Sequence, residues 1–135
     1  MKKPDYNALT APAPSLPATW YFDPAQHARE LATLWGNNWL YVARTEALAE
    51  PGTFRVLSIG DQNYLVLRSH QGNLRGFHNT CRHRGSLLCD KKEGQLGHSG
   101  RIVCPYHQWA YDSEDGTLLR TSSFTEPEDF NRSSY

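Results

Sequence analysis

The spacing of apolar and polar positions changes once along this chain. Ala28, Leu31, Leu34 and Trp35 recur at intervals of three and four, which places them on one face of a helix. Asp23-Pro24-Ala25-Gln26 marks the start of that helix. Asp23 suits the N-cap, Pro24 the first helical position, and Gln26 stands where a side chain reaches back to the cap. Gly36 and the two asparagines after it close the helix. Its aromatic residues, and Trp39 just beyond, read as core packing without a cofactor role. From Trp39 onward the period shortens towards that of a strand. Residues 39–43, 53–59, 63–68, 74–79, 101–103, 109–112 and 117–120 read as short strands. Tight turns fall at Gly60-Asp61, Gln71-Gly72-Asn73 and Glu114-Asp115-Gly116. The pattern predicts a mainly β fold, a small antiparallel β domain behind an N-terminal helix. No segment repeats at a fixed period.

Composition narrows this picture modestly. With 135 residues and 39% hydrophobic content the chain suits one small domain, a size at which about two-thirds of the unfolded surface is buried on folding. Fourteen basic and fourteen acidic residues cancel, which argues against a dedicated nucleic-acid binder. The charges are unevenly spread: six Lys or Arg lie between Arg75 and Arg101, and six acids between Asp112 and Asp129. Each run reads first as solvated loop, although the basic one surrounds Cys81 and would steer an acidic electron donor. No run approaches the length of a membrane span. Met1-Lys2-Lys3 leads into Pro4 and Asp5 without an apolar stretch, so no signal peptide is expected and the chain reads as cytoplasmic.

Two short runs carry the chemistry. Cys81-Arg82-His83 and, after twenty intervening residues, Cys104-Pro105-Tyr106-His107 each supply one thiolate and one imidazole from a loop. Four such donors make a metal site. The two spacings let each loop give its Cys to one metal and its His to another, so that Cys81 and Cys104 hold one iron and His83 and His107 the second. Structural zinc is the competing reading, because two Cys and two His also form a good tetrahedral site. Cys89, the third cysteine, reads as a buried or half-buried free thiol, too few for a disulfide scaffold. The strands at 74–79 and 101–103 deliver the chain to the two runs, which would meet as hairpin tips at one end of the domain.

At these residues the sequence resembles the Rieske [2Fe-2S] family, with Gly85 after the first run and Pro105 within the second also fitting. The resemblance implies a [2Fe-2S] cluster bound by Cys81, His83, Cys104 and His107. In the high-potential Rieske proteins of respiratory complexes each ligand loop carries an extra, disulfide-bonded Cys, and Ser86 and Tyr106 stand in those places here. Trp109 replaces the Ser that bonds a cluster sulfur in those proteins, while Tyr111 retains a phenol donor. Fewer hydrogen bonds to sulfur imply a lower potential. Tyr106 and Trp109 would shield the cluster from water, and Arg82 and Arg84 either face a partner or solvate the loop.

More narrowly, the chain resembles the amino-terminal part of the large subunit of Rieske non-haem iron oxygenases. The likeness runs from Leu16-Pro17 through the helix to Trp39, then through both ligand runs to Glu128-Asp129-Phe130. It implies an extended arm at 1–19, a leader helix at 20–38, the Rieske domain at 39–125 and, at 126–135, the start of a linker to an absent catalytic domain. Gln108 departs from the usual Gly after the last ligand, a feature of the branch acting on betaine-like quaternary amines rather than aromatic rings. Such an oxygenase holds a mononuclear Fe(II) by two His and one carboxylate. His27, His70, His78 and His98 do not form that pattern, so the iron is expected only in the missing catalytic domain. The expected partners are a ferredoxin or flavin reductase as donor and an oxygenase catalytic domain or neighbouring subunit as acceptor. A stand-alone Rieske ferredoxin-type carrier is the alternative.

Overall fold

A computed structural model describes residues 14–97, 100–121 and 125–135. Most of the expected arm, and His98, lie outside the described residues. The chain forms two compact units, Met1–Asn38 and Trp39–Tyr135.

In the first unit a 3-10 turn, Ala18–Tyr21, precedes helix α1, Pro24–Glu30. Asp23 caps α1 by accepting the Ala25 N–H at 2.9 Å, and Pro24 occupies the first position. Gln26 does not reach back to the cap as its position suggests. Its Nε2 donates to Glu30 Oε1 at 2.9 Å, because residues four apart are neighbours on a helix. A π-helical turn, Leu31–Trp35, follows, and Gly36 N–H donates to the Leu31 carbonyl at 3.1 Å.

The second unit holds two antiparallel sheets. Strands β1 (Thr53–Ile59), β2 (Gln62–Arg68), β3 (Leu74–His78) and β4 (Glu93–Gln95) form the first, in the order β3-β2-β1-β4. The second sheet is β5 (Arg101–Val103), β6 (Ala110–Asp112) and β7 (Leu118–Arg120), in sequence order. Alternation in β2 turns Leu65 and Leu67 inward, where both are fully buried beside Phe54, Ile102 and Leu118. Fully burying each such side chain contributes roughly 2 kcal/mol. Cys81, Cys104, Trp109 and Tyr111 belong to the same core, so the two thiols expected to bind metal are part of it.

Three expectations need correction. Residues 39–43 form no strand among the described residues, and they run extended into the 3-10 turn Thr45–Leu48. Trp39 is accordingly fully exposed and Trp35 of the π turn half-exposed, where the pattern predicts core packing for both. Strand β4 has no apolar alternation to announce it. It pairs with β1 in the register Phe54↔Gly94, and a Cβ at Gly94 would lie 2.9 Å from the Phe54 ring, so the missing side chain is what lets that ring pack.

A polar lock joins the sheets through the β2–β3 turn and the β6–β7 turn. Ser69 and Ser113 are fully buried. The Ser69 hydroxyl donates to the Glu114 carboxylate, Asn73 Nδ2 donates to Glu114 Oε1 at 3.0 Å, and Arg75 pairs with the same oxygen. The His70 N–H donates to Ser113 Oγ at 3.1 Å.

Candidate metal centre

The two ligand runs adopt the same backbone frame. In the first, the Cys81 N–H donates to the Ser86 carbonyl at 2.8 Å and the Gly85 N–H to the Cys81 carbonyl at 2.9 Å. In the second, the Cys104 N–H donates to the Trp109 carbonyl at 2.8 Å and the Gln108 N–H to the Cys104 carbonyl at 2.9 Å. Each loop therefore closes on its own cysteine, and the residue four after that cysteine is left-handed: Gly85 at φ +70° and Gln108 at φ +58°. The difference between Cys-x-His and Cys-x-x-His is which residue of a common loop carries the imidazole.

Both loops are hairpin tips. The first sits beyond the bridge Thr80↔Leu87, and the second joins β5 to β6 through the pair Val103↔Ala110. Asn79, fully buried two residues before Cys81, holds the segment that leaves the first loop. Its Nδ2 donates to the Cys89 carbonyl at 2.7 Å and to Asn63 Oδ1 at 2.8 Å, while its Oδ1 accepts the Cys89 N–H at 2.8 Å. The sequence pattern does not single out Asn79, which follows β3 with only its nearness to Cys81 as a signal.

The tips meet through their histidines. The rings of His83 and His107 lie edge to face with centroids 4.9 Å apart. Cys81 and Cys104 are almost wholly buried, 2% and 1% exposed, which keeps water from their sulfurs. Burial lowers the His83 pKa from the ordinary histidine value, and His107 and Arg84 lower it further. A neutral ring keeps a nitrogen lone pair for a metal. Nδ1 of His107 is buried as well.

Aromatic groups enclose this end of the core. Trp109, 3% exposed, stacks on His83 with centroids 4.6 Å apart and planes 6° from parallel. Tyr106 lies against its neighbour His107 at 3.8 Å but is 60% exposed. The Tyr111 hydroxyl is 3.2 Å from Cys81 Sγ. Burial first, then the bond to Cys81, pushes the Tyr111 pKa far above that of an ordinary phenol. Cys89 is a buried free thiol whose pKa is pushed up to about 11 by burial and by Asp90, which makes it unreactive. Arg82 and Arg84 are exposed beside the first loop, and neither forms an ion pair among the described residues.

The donor set fits a binuclear iron–sulfur cluster: two sheltered thiols and two facing imidazoles, with a phenol aimed at one sulfur. A zinc ion would draw all four donors to one point at about 2.0–2.3 Å. Among the described residues no group of three or more His, Cys, Asp or Glu side chains is gathered for a single ion, whereas a binuclear centre asks only a pair of each iron.

A loop pair of this kind on two small antiparallel sheets defines a class, and comparison with known proteins gives the family directly. The Rieske [2Fe-2S] domain matches residues 38–128, and the chain belongs to that family, whose cofactor is a [2Fe-2S] cluster. It is 42% identical over 105 residues to a glycine betaine monooxygenase oxygenase subunit of Chromohalobacter salexigens, covering 78% of this chain and 23% of that protein. It is 37% identical over 123 residues to a chloroplastic choline monooxygenase of Beta vulgaris, covering 91% of this chain and 25% of that protein. The apo crystal structure of a quaternary ammonium Rieske monooxygenase superposes with a TM-score of 0.76 at 27% identity, over 89% of this chain and 34% of the other. The chain thus spans about a quarter of the length of the curated relatives it matches, and corresponds to the amino-terminal Rieske region of oxygenase large subunits. No helix among the described residues is long and apolar enough to cross a membrane.

Proposed function

We propose that Cys81 and Cys104 ligate one iron of the cluster and His83 and His107 the other, and that the domain is the electron-transfer portion of a Rieske oxygenase large subunit. The observation that carries this is the meeting of His83 and His107, 4.9 Å apart at the tips of two loops with one hydrogen-bond frame. When bound, the cluster takes up and releases one electron at a time. The rest is the work of the chain. The buried cysteines hold the inner side in a dry, low-dielectric end of the core. The half-buried histidines hold the outer side at the surface, where a partner approaches. Tyr111 donates a proton to Cys81 without giving it up, and Trp109 excludes water from His83.

By the names of its relatives the substrate of the complete enzyme is a quaternary amine of the betaine or choline type, with Gln108 after the last ligand as the feature of this chain that supports it. The oxygen-activating Fe(II) belongs to a catalytic portion outside the matched quarter, in the same or a neighbouring subunit. The donor is a ferredoxin or flavin reductase. Exposed Arg82 and Arg84 beside the first loop favour an acidic one. Three free thiols suit a reducing compartment, and we place the chain in the cytoplasm.

The test is an absorption and electron paramagnetic resonance spectrum of anaerobically purified protein, before and after dithionite, with assays of iron, sulfide and zinc. A reducible binuclear signal with a low average g value is expected. A colourless protein holding one zinc per chain refutes the assignment.

A further inference from the structure

We propose that the cavity beside Tyr111 is a binding site for a small aromatic carboxylate, and that its occupation lowers the reduction potential of the cluster. The binding stands on the cavity alone, while its link to the potential rests on the assignment of Cys81 as an iron ligand.

The cavity has a volume of about 170 Å³ and takes its walls from both sheets. Phe77 of β3, Leu88, Ile102 of β5 and the Tyr111 ring of β6 make it largely apolar. Leu88, Ile102 and Tyr111 belong to the buried core, so these walls are fixed. Gly116 keeps the space beside Phe77 open, since a Cβ there would lie 3.0 Å from the ring. An apolar cavity of about 150 Å³ holds one benzene molecule, so this one takes a single ring with a short substituent. Two of its walls are aromatic, and a flat ring packs against them better than an alkyl chain of equal size.

The exposed rim decides the substituent. It consists of His78, Thr80 and Arg82. Among the described residues that line the cavity Arg82 carries a full charge, and none is acidic. A guanidinium meets a carboxylate through two parallel hydrogen bonds, whereas a cation is repelled and a neutral ring forgoes the charge-assisted bond. A ring bearing one carboxylate therefore matches both the walls and the rim.

Tyr111 joins this site to the metal centre. Its ring is a cavity wall, while its hydroxyl lies 3.2 Å from Cys81 Sγ and 3.2 Å from the Arg82 nitrogen whose proton it accepts. Reduction adds one negative charge behind that sulfur, and a carboxylate held on Arg82 opposes it. The ligand accordingly prefers the oxidised protein, and by linkage its binding lowers the potential. For a unit charge acting largely through water the preference is about twofold, which is about 18 mV for a one-electron couple.

The experiment titrates para-fluorobenzoate into the oxidised, cluster-loaded protein and reads the fluorine line width by nuclear magnetic resonance. The neutral and cationic comparisons are para-fluorobenzyl alcohol and para-fluorobenzylamine. Saturable broadening is expected for the benzoate, with an affinity about fivefold above that of the alcohol, and none for the amine. Arg82→Gln should weaken the benzoate about fivefold, and Thr80→Phe, which puts a ring on the rim and keeps Arg82, should abolish its binding. Both positions are exposed, so neither substitution touches the core. A response that does not saturate, equal affinity for the alcohol, or full affinity in either variant overturns the site. A redox titration with saturating benzoate should give a potential about 18 mV lower. A potential that holds still or rises while binding persists overturns the link to the cluster. Binding by a protein that shows no reducible binuclear signal supports the site and overturns the ligand assignment.

Discussion

The Tyr111 hydroxyl stands 3.2 Å from Cys81 Sγ and accepts the Arg82 N–H, also at 3.2 Å. An oxygen already receiving a proton from the backbone turns its own proton towards the sulfur. Because the Tyr111 pKa is driven upward, that proton stays in place across the working range of pH. A donor to a ligand sulfur favours the reduced, more negative state.

Tyr111→Phe should therefore lower the reduction potential. A differential hydrogen bond of about 1 kcal/mol corresponds to roughly 40 mV for a one-electron couple. A redox titration of the two proteins measures it, and a potential that rises or holds still contradicts the bond's assigned role.

The matching frames of the two loops make opposite predictions at equivalent positions. Gln108 holds φ +58°, a conformation that costs a residue with a side chain about 1 kcal/mol, whereas Gly85 at φ +70° adopts its own without strain. Gln108→Gly should raise the unfolding midpoint by roughly 4 °C. Gly85→Ala should lower it by a similar amount, through the backbone alone, since nothing lies within 4 Å of the added Cβ. Anaerobic thermal scans of the loaded proteins compare the two, and shifts of the same sign would show that the frames are not equivalent.

Asn79→Ala leaves the buried N–H and carbonyl of Cys89 without their side-chain partner. Each unsatisfied group costs about 1–3 kcal/mol, so the total is roughly 2–6 kcal/mol. With Cys81 two residues away, the variant should also release iron faster under a chelator, a rate followed by the loss of visible absorption. Unchanged release would mean that the first loop keeps its shape without Asn79.

Acid should weaken the lock between the sheets. Hydrogen bonds from Ser69 first, then from Arg75 and Asn73, hold the Glu114 pKa below the ordinary carboxylate value. A depressed pKa stabilises the fold fully above the unfolded value of about 4.3, and the contribution disappears as pH falls through the lower folded value. Glu114→Gln should therefore be less stable than the native protein at pH 7, with the gap narrowing below about pH 4. Urea midpoints at the two pH values test this, and a gap independent of pH would assign the loss to geometry rather than charge.

The sequence by itself determined the family, the set of donors on offer and the strands that lead to them. Cys-x-His and Cys-x-x-His name their chemistry because few other demands place those residues at those intervals. Strand β1 was legible at its full length because alternation and the Gly60-Asp61 turn agree. Local pattern failed where burial is decided from outside the segment. Residues 39–43 are an unbroken apolar run of strand-forming residues, but a strand exists only when a neighbour pairs with it. Strand β4 shows no pattern, since its place is set by the Phe54 ring packing over Gly94. Only the tertiary structure decided that Tyr111 reaches Cys81 from thirty residues away, and that Trp109 of one loop lies on His83 of the other. Local spacing specifies which donors a chain offers, whereas the direction in which a donor points depends on side chains that folding brings from elsewhere.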